Sequence, residues 1–570
     1  MEYLQKLKNS SYSWFLLILL IAAFLRFYQL GDTPAGFLND EANAGYDAYS
    51  LLLTGRDQWN NSFPLNNFIG FGDFQPPVNR YSLLIPIYIF GLNEFSVRFV
   101  SALSGVLSVI ALYFLVKKLV NKEAAFLSAF FLAIMPWAVG LNRIGHESNI
   151  AILFLILSLY FGVVQKPSRS LFYSVFFIAL SMYTYSAYIL YAPLVLAVIL
   201  YLNYKKERGY RYLLKPLILF LIIISPIIIQ KNAASVRFSQ VGLTTNVNSI
   251  GLINILNDER GQCIAVFNPI ICKTVGNKAT LFVGTFVKNY MSHFSPNFLY
   301  IDGTHTQFSV LPQRGLDYLF NFLPLILGMT FLLKDNKQRK LNSAFVILFL
   351  ISPLPDSFTS EGNYTRASMM QPFLSLFSGL GVYYFLDILN GKKIFKYLFI
   401  FSFFLIISFS VISFFITYLT YFKNNYSIFS QYGYKDLMIK TNSLKNEFDK
   451  IYISRHLNDT KQYVYYLFYN KYDPVKFQKK IEVSYSYGSE GWISVDKIDN
   501  INFVQNLPIV PASSDFKNKD LFISNPVDFP KKIKAEFEVK DKLGNVIFKA
   551  VRLENLVEYY SKEKLGLQTK

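Results

Sequence analysis

Apolar runs close to the length of a bilayer crossing recur along this chain, separated by short polar connections. About 20 mostly apolar residues are needed to cross the hydrocarbon layer as a helix. Residues 398–419 meet that requirement without a charge, and the charge-free run around 217–229 comes near it with its flanks. The pattern predicts eleven spans, at about 13–30, 95–116, 124–141, 148–164, 170–187, 189–203, 214–230, 316–333, 341–358, 368–389 and 397–420. The two spans within 170–203 meet without a polar break. The expected fold class is a polytopic α-helical membrane protein.

Three segments carry nearly all the polar complexity: residues 31–94, residues 231–315 and the tail from 421. In the first, Ala42, Gly45, Tyr46, Tyr49, Leu52 and Leu53 recur at helical spacing after Asn39, a good N-cap, and Gly55 is placed to end the helix. The opposite stripe is Asp40, Asn43, Asp47, Ser50 and Thr54. This predicts an amphipathic helix lying along the membrane surface. A second short apolar piece, YSLLIPIYIFG at 81–91, contains Pro86, is too short to span, and predicts a second interfacial helix. In the tail, KIYIS and KIKAEFEVKDKLGNVIFKAVRL alternate as strands around a Gly-Asn turn, and 434–448 has a helical pattern. The expected organisation is a membrane domain over 1–420 and a small α/β accessory domain over 421–570, outside the membrane.

Composition agrees with a membrane protein: 52% of residues are hydrophobic, 18% aromatic and 16% charged, against about 25% charged in soluble domains. Six basic clusters decide the orientation. They are Lys6 and Lys8; Lys117, Lys118 and Lys122; Lys166 and Arg169; Lys205, Lys206, Arg208, Arg211 and Lys215; Lys334, Lys337, Arg339 and Lys340; and Lys392, Lys393 and Lys396. With eleven spans all six fall on one side. A multi-pass protein of the cell membrane is expected, with the N-terminus cytoplasmic and the C-terminal domain extracytoplasmic. The net charge of +19 then reflects topology and contact with membrane lipids, not nucleic-acid binding. The first apolar run lacks a small-residue cleavage site and is expected to be retained. Both cysteines, Cys263 and Cys272, fall in the 231–315 loop; a bridge in an oxidising compartment and two free thiols are both open.

Ionisable groups gather between the spans and largely avoid the bilayer centre, whereas an ion-coupled transporter is expected to hold charges there. The candidates for a cleft are Asp40, Glu41, Asp47, Asp73 and Arg80 in the first loop, Arg143, His146 and Glu147 in LNRIGHESNI, and Arg366 in EGNYTRASMMQPF. Each also has a structural reading. Asp40 and Glu41 can complement a helix dipole, worth about 0.3–1 kcal/mol. Arg143 and Arg366 can anchor span ends by snorkelling, and His146 with Glu147 can form an ordinary hydrogen-bonded pair. No His/Cys cluster with zinc spacing occurs among the four histidines.

A first span followed by NDEANAGYDAYSLLLTG, then FGDFQPPVNRYSLLIPIYIFGLNEFSVRFVSALSGVLSV, then LNRIGHESN, resembles the GT-C superfamily of membrane glycosyltransferases. The likeness covers roughly residues 10–390 and is to the branch holding protein O-mannosyltransferases and lipid A aminoarabinose transferases. It implies that Asp40 is the catalytic carboxylate, that Glu147 is a second acidic residue of the site, and that Arg366 meets the donor phosphate. Arg143 joins the phosphate-binding candidates, and His146, Asp73 and Gln75 are further cleft candidates. The aminoarabinose transferases carry Glu-Lys before the paired prolines; here Gln75 precedes Pro76 and Pro77. That lysine is therefore missing, and Arg80 is the candidate replacement.

The implied reaction is transfer of a hexose or pentose from a polyprenyl-phosphate donor to a lipid or protein acceptor of the cell envelope. The departing phosphate needs no general acid at neutral pH, so the demands are a base for the acceptor hydroxyl and a cation for the phosphate. A carboxylate of ordinary pKa near 4 can take the proton, an effect of about 10²- to 10⁴-fold, and arginine offers bidentate donors to phosphate. One base without a nucleophilic carboxylate implies inversion, by analogy with glycosidases. Asp40 and Glu41 diverge by about 100° on a helix, so both are not expected at one reacting centre; Glu41 is the positioning or cation-assisting candidate. No cofactor is certain, and a divalent cation at Asp40 stays open. Two rivals stand beside this reading: a lipid-linked sugar flippase or other transporter, and a non-catalytic membrane scaffold.

Overall fold

The computed structural model describes residues 2–163, 169–204, 210–229, 242–243, 246–304, 313–334, 338–455, 461–488, 491–508 and 519–568. Of the expected cytoplasmic basic residues, Lys166, Lys205, Lys206, Arg208 and Lys337 lie outside the described residues, as do 231–241 and 305–312 of the second loop. The chain separates into two compact units: unit 1 holds Met1–Tyr28, Phe74–Val78 and Ser101–Phe415, and unit 2 holds Gln29–Asp73, Asn79–Val100 and Ile416–Lys570.

The helices used below are α1 (Glu2–Phe27), α2 (Asn39–Thr54), α3 (Val78–Phe90), α4 (Glu94–Leu119), α5 (Lys122–Ile134), α6 (Pro136–Asn142), α7 (Ser148–Val163), α8 (Arg169–Met182), α9 (Tyr188–Asn203), α10 (Arg211–Ile229), α11 (Asn246–Ile264), α12 (Pro269–Val275), α13 (Lys278–Ser292), α14 (Phe322–Lys334), α15 (Arg339–Ile351), α16 (Gln371–Ile388) and α17 (Lys393–Thr417). In the tail follow α18 (Tyr434–Leu444), α19 (Tyr463–Tyr469), α20 (Pro474–Gln478) and α21 (Leu553–Gln568).

Among the described residues a helix overlaps each of the eleven predicted spans. Three helical stretches among the described residues are long and apolar enough to cross a membrane, α4, α10 and Lys393–Asn425; a fourth counts if α5 and α6, bent by 56°, form one span. The apolar helices α7, α8 and α9 are shorter, and α8 stops at Met182, short of the predicted end at 187.

The bend between α5 and α6 has a covalent cause. Pro136 has no N–H for the carbonyl of Leu132, and the Trp137 N–H goes instead to Leu316 O at 2.9 Å. Two carbonyls are thus left without helical partners inside unit 1. Buried Arg26 of α1 answers both, donating to Leu132 O at 3.1 Å and Ala133 O at 2.8 Å, and fixes Asn142 Oδ1 at 2.7 Å. Elsewhere the unit packs through small residues, as membrane helices do. A Cβ on Gly328 of α14 would overlap the Phe377 carbonyl oxygen of α16, one on Gly381 of α16 would overlap Pro324 O of α14, and one on Gly379 would overlap Ser128 of α5. Cys263 and Cys272 are joined as a disulfide between α11 and α12.

Unit 2 is built on a seven-stranded sheet, comprising β1 (Lys450–Ser454), β2 (Val483–Tyr487), β3 (Ile493–Ile498), β4 (Ile501–Val504), β5 (Asp520–Ser524), β6 (Phe537–Lys540) and β7 (Val546–Arg552). Their order is β2-β3-β4-β1-β5-β7-β6, with β1 parallel to both neighbours and the other pairs antiparallel. The expected tail strands are therefore β1 and the β6–β7 hairpin, whose turn uses Gly544 at φ 90°. One core runs from this sheet into the first-loop helices: Ala42, Tyr46, Leu83 and Ile87 cluster with Ile451, Ile498, Leu467 and Phe468.

That shared core corrects the reading of α2 as a helix lying on a surface. Its apolar side is enclosed, with Gly45 so close to Phe468 and Val97 that a Cβ would require them to move. Its polar stripe is enclosed as well: Asn43, Asp47 and Ser50 are buried, because the 56–61 segment turns back over them and supplies partners. Gln58 N–H donates to Asp47 at 3.2 Å, Gln58 Nε2 to Asn43 Oδ1 at 2.5 Å, and Ser50 Oγ to Arg56 O at 2.8 Å. By contrast α3 turns Ile85, Tyr88 and Ile89 outward.

Candidate active site

Two clusters collect the candidate residues, one in each unit. In unit 2, α2 begins at Asn39, one residue earlier than an Asn39 cap would place it, and Glu41 reaches back to accept the Leu38 N–H at 3.0 Å. Gly55 closes the helix in the left-handed region at φ 70°, its N–H on Leu51 O at 2.9 Å. Within this one helix the three carboxylates have different fates.

Glu41 is buried and paired with buried Arg98, Nε to Oε1 at 2.9 Å. Arg98 also donates to Leu30 O, Pro34 O and Gly36 O, so the pair ties the entry of the first loop to α2 and α4. Asp47 is buried against Arg80, Nε to Oδ2 at 3.0 Å. Burial pushes the Asp47 carboxyl up to about 7, with Arg80 pulling it down and Asp57 adding to the rise. Asp47, expected on the polar stripe of a surface helix, is therefore a buried group instead. Arg80, the candidate replacement for the missing lysine, is engaged with Asp47 and lies under the Phe68 ring at 5.3 Å. Asp73 is buried and accepts the Phe71 N–H at 3.1 Å, which makes it a turn residue of the 70–73 segment. Asp40, in the first turn of α2, is exposed. It stands at the positive end of the helix dipole, where negative charge is stabilised.

In unit 1 three connections meet around buried Tyr185, between α8 and α9. Its hydroxyl reaches Thr365 Oγ1 at 3.4 Å, and its ring meets His146 at 5.3 Å. Arg366, Glu147 and Asp356 all act on it electrostatically. His146 uses Nδ1 to receive the Ser148 N–H at 3.1 Å, capping the start of α7, and the partly exposed Glu147 leads into that helix. Arg143 is buried and donates to Leu25 O, Arg26 O and Tyr28 O, so it satisfies carbonyls at the end of α1. Gln75 is half-buried in this unit.

Arg366 differs from the other candidate arginines. One terminal nitrogen donates to Thr359 Oγ1 at 2.8 Å and lies 3.9 Å from Asp356. Its other guanidinium nitrogens have no partner among the described residues, and 24% of the side chain is exposed. Asp356 is a buried hub that the sequence reading missed. It holds His293 Nε2 at 2.8 Å, Ser360 Oγ at 2.6 Å and the Asn363 N–H at 2.6 Å. Tyr185 was missed too; both sit within predicted spans, where only their polarity stood out. Among the described residues no group of three or more His, Cys, Asp or Glu side chains is arranged to hold a metal ion.

Residues 74–230 match the family model of dolichyl-phosphate-mannose-protein mannosyltransferases. A stretch of 167 residues, 29% of this chain and 22% of the relative, is 32% identical to "Putative mannosyltransferase YkcB" of Bacillus subtilis (strain 168). Another of 144 residues, 25% of this chain and 20% of the relative, is 33% identical to "Putative mannosyltransferase YycA" of the same organism. The matches thus take in about a fifth of the length of these curated relatives. Among solved structures, apo ArnT from Cupriavidus metallidurans aligns over 96% of this chain and 99% of its own with a TM-score of 0.50 at 12% identity, a likeness of fold. The resemblance to GT-C membrane glycosyltransferases is present both in sequence and in fold.

Proposed function

We propose that this chain is a membrane glycosyltransferase that moves a monosaccharide from polyprenyl phosphate to a lipid or protein acceptor on the extracytoplasmic face, with inversion. The matched family is named for a polyprenyl-phosphate sugar, dolichyl-phosphate mannose, which supports that donor class. In this reading all eleven predicted spans cross the membrane, with the N-terminus cytoplasmic and the tail outside.

The observation that carries the proposal is the exposure of Asp40 in a helix whose other two site carboxylates, Glu41 and Asp47, are buried in ion pairs. Asp40 accepts the proton of the acceptor hydroxyl as its oxygen bonds to the anomeric carbon. The bond from that carbon to the phosphate oxygen breaks, and the phosphate leaves with the electron pair. Arg366 binds this developing charge through its unengaged guanidinium N–H groups. Glu147 takes the role of second acidic residue. Glu41, Arg80 and Arg143 hold the framework instead, since each is committed to buried partners.

Mass spectrometry of membrane lipids and surface proteins from cells with and without active protein tests this reading. A hexose, pentose or amino sugar missing from one acceptor class, restored by wild type and not by Asp40→Asn, is the expected result. Identical glycosylation in both cell lines overturns it.

A further inference from the structure

Unit 2 contains a groove of about 170 Å³ that takes no part in the proposed transfer chemistry. It forms where the 58–61 turn of the first loop meets α20 and strand β2. Side chains alternate along a strand, so Val483, Tyr485 and Tyr487 of β2 share one face, and all three line the groove. Trp59 meets the Tyr485 ring at 5.5 Å, and Tyr485 meets Tyr487 at 5.6 Å. Tyr487 is 69% exposed, although burying an aromatic ring of this size would be favourable.

The polar lining is one-sided. Gln478 Nε2 donates to Ser50 Oγ at 2.9 Å, Thr54 Oγ1 at 2.9 Å and Asp57 O at 3.0 Å. A carbonyl can only accept, so the amide cannot be turned round, and its Oε1 has no partner among the described residues. Asn61 is fixed in the same way, with Nδ2 on the Asp57 carboxylate at 2.9 Å and Oδ1 without a partner among the described residues. Gln58, fully buried behind them, spends its side-chain amide on Asn43 and offers the groove no acceptor. Lys480, at 2.6 Å from the Tyr485 hydroxyl, sets a positive charge at the rim and disfavours a cationic ligand.

Aromatic faces beside amide acceptors that lack donors suit a molecule with many hydroxyl donors and an apolar C–H face. A pyranose ring has both: its hydroxyls donate around the equator, and its axial C–H bonds meet the negative face of an aromatic ring. We propose that this groove binds a neutral pyranose residue of a glycan. The binding requires neither donor phosphate nor Asp40, so it stands apart from the transfer reading.

The test is saturation-transfer NMR on the full-length protein in nanodiscs, without donor, using mannotriose, maltotriose and triacetylchitotriose in turn. At least one trisaccharide should receive saturation through its ring protons. Tyr487→Ala and Trp59→Ala should weaken that binding about fivefold or more, while Asp40→Asn binds as wild type does. Tyr487 is exposed, so its variant should keep the wild-type thermal midpoint even if Trp59→Ala does not. No transfer to any of the three sugars overturns the proposal, as does binding unchanged in Tyr487→Ala, or binding lost in Asp40→Asn and kept in Tyr487→Ala.

Discussion

At the scale of single residues, the buried ion pairs of α2 set the conditions under which unit 2 stays folded. Removing one member of a buried pair leaves the other charge without compensation, typically at about 3–5 kcal/mol. Glu41→Gln should therefore destabilise unit 2 by about that amount, because Arg98 loses the carboxylate it is hydrogen-bonded to and keeps three carbonyls and the more remote charge of Glu94; an unchanged chemical-denaturation midpoint contradicts this. Asp47 calls for a different measurement. Its folded carboxyl is raised by burial to about 7, above the unfolded value near 4, so the folded state holds the proton more tightly. Its contribution to stability is full below about pH 4 and is lost as pH rises through about 7. Asp47→Asn should remove that slope, and a wild-type midpoint that rises relative to the variant across this window refutes the assignment. The divergence of Asp40 from Glu41 was legible in their adjacency. Their partners were not: Arg98 lies 57 positions from Glu41 and Arg80 lies 33 from Asp47, distances that no local pattern spans.

Among elements, helix positions were legible because bilayer-length apolar runs leave few alternatives, and the strands of the tail because alternation and a Gly-Asn turn fix them. The orientation of α2 was not. Its stripes have the correct period, but an amphipathic pattern does not distinguish a membrane surface from a core that supplies Gln58, Arg56 and Arg80 as polar partners. The break after α5 was hidden in the same way, since Pro136 lies inside an apolar run and Arg26 satisfies the freed, buried carbonyls from another helix. Helix packing in unit 1 gives the prediction proper to this scale. Gly381→Leu should force α14 and α16 apart and cost about 1–3 kcal/mol or more, seen as a lower thermal midpoint in detergent. An unchanged midpoint means that the close approach of these two helices does not limit stability.

For the whole molecule, the proposed base and the proposed phosphate ligand can each be removed alone. Arg366→Ala should raise the KM for a polyprenyl-phosphate sugar about 10- to 100-fold, as expected for losing a charge-assisted bond worth about 1.5–3 kcal/mol; unchanged donor KM and kcat remove its phosphate role. The most direct test of the central claim is the initial rate of sugar transfer by purified protein in liposomes, with polyprenyl-phosphate mannose as donor and membrane extract as acceptor. Asp40→Asn should insert and fold as wild type does and lose about 10²- to 10⁴-fold in rate. Turnover by that variant close to wild type would contradict the account.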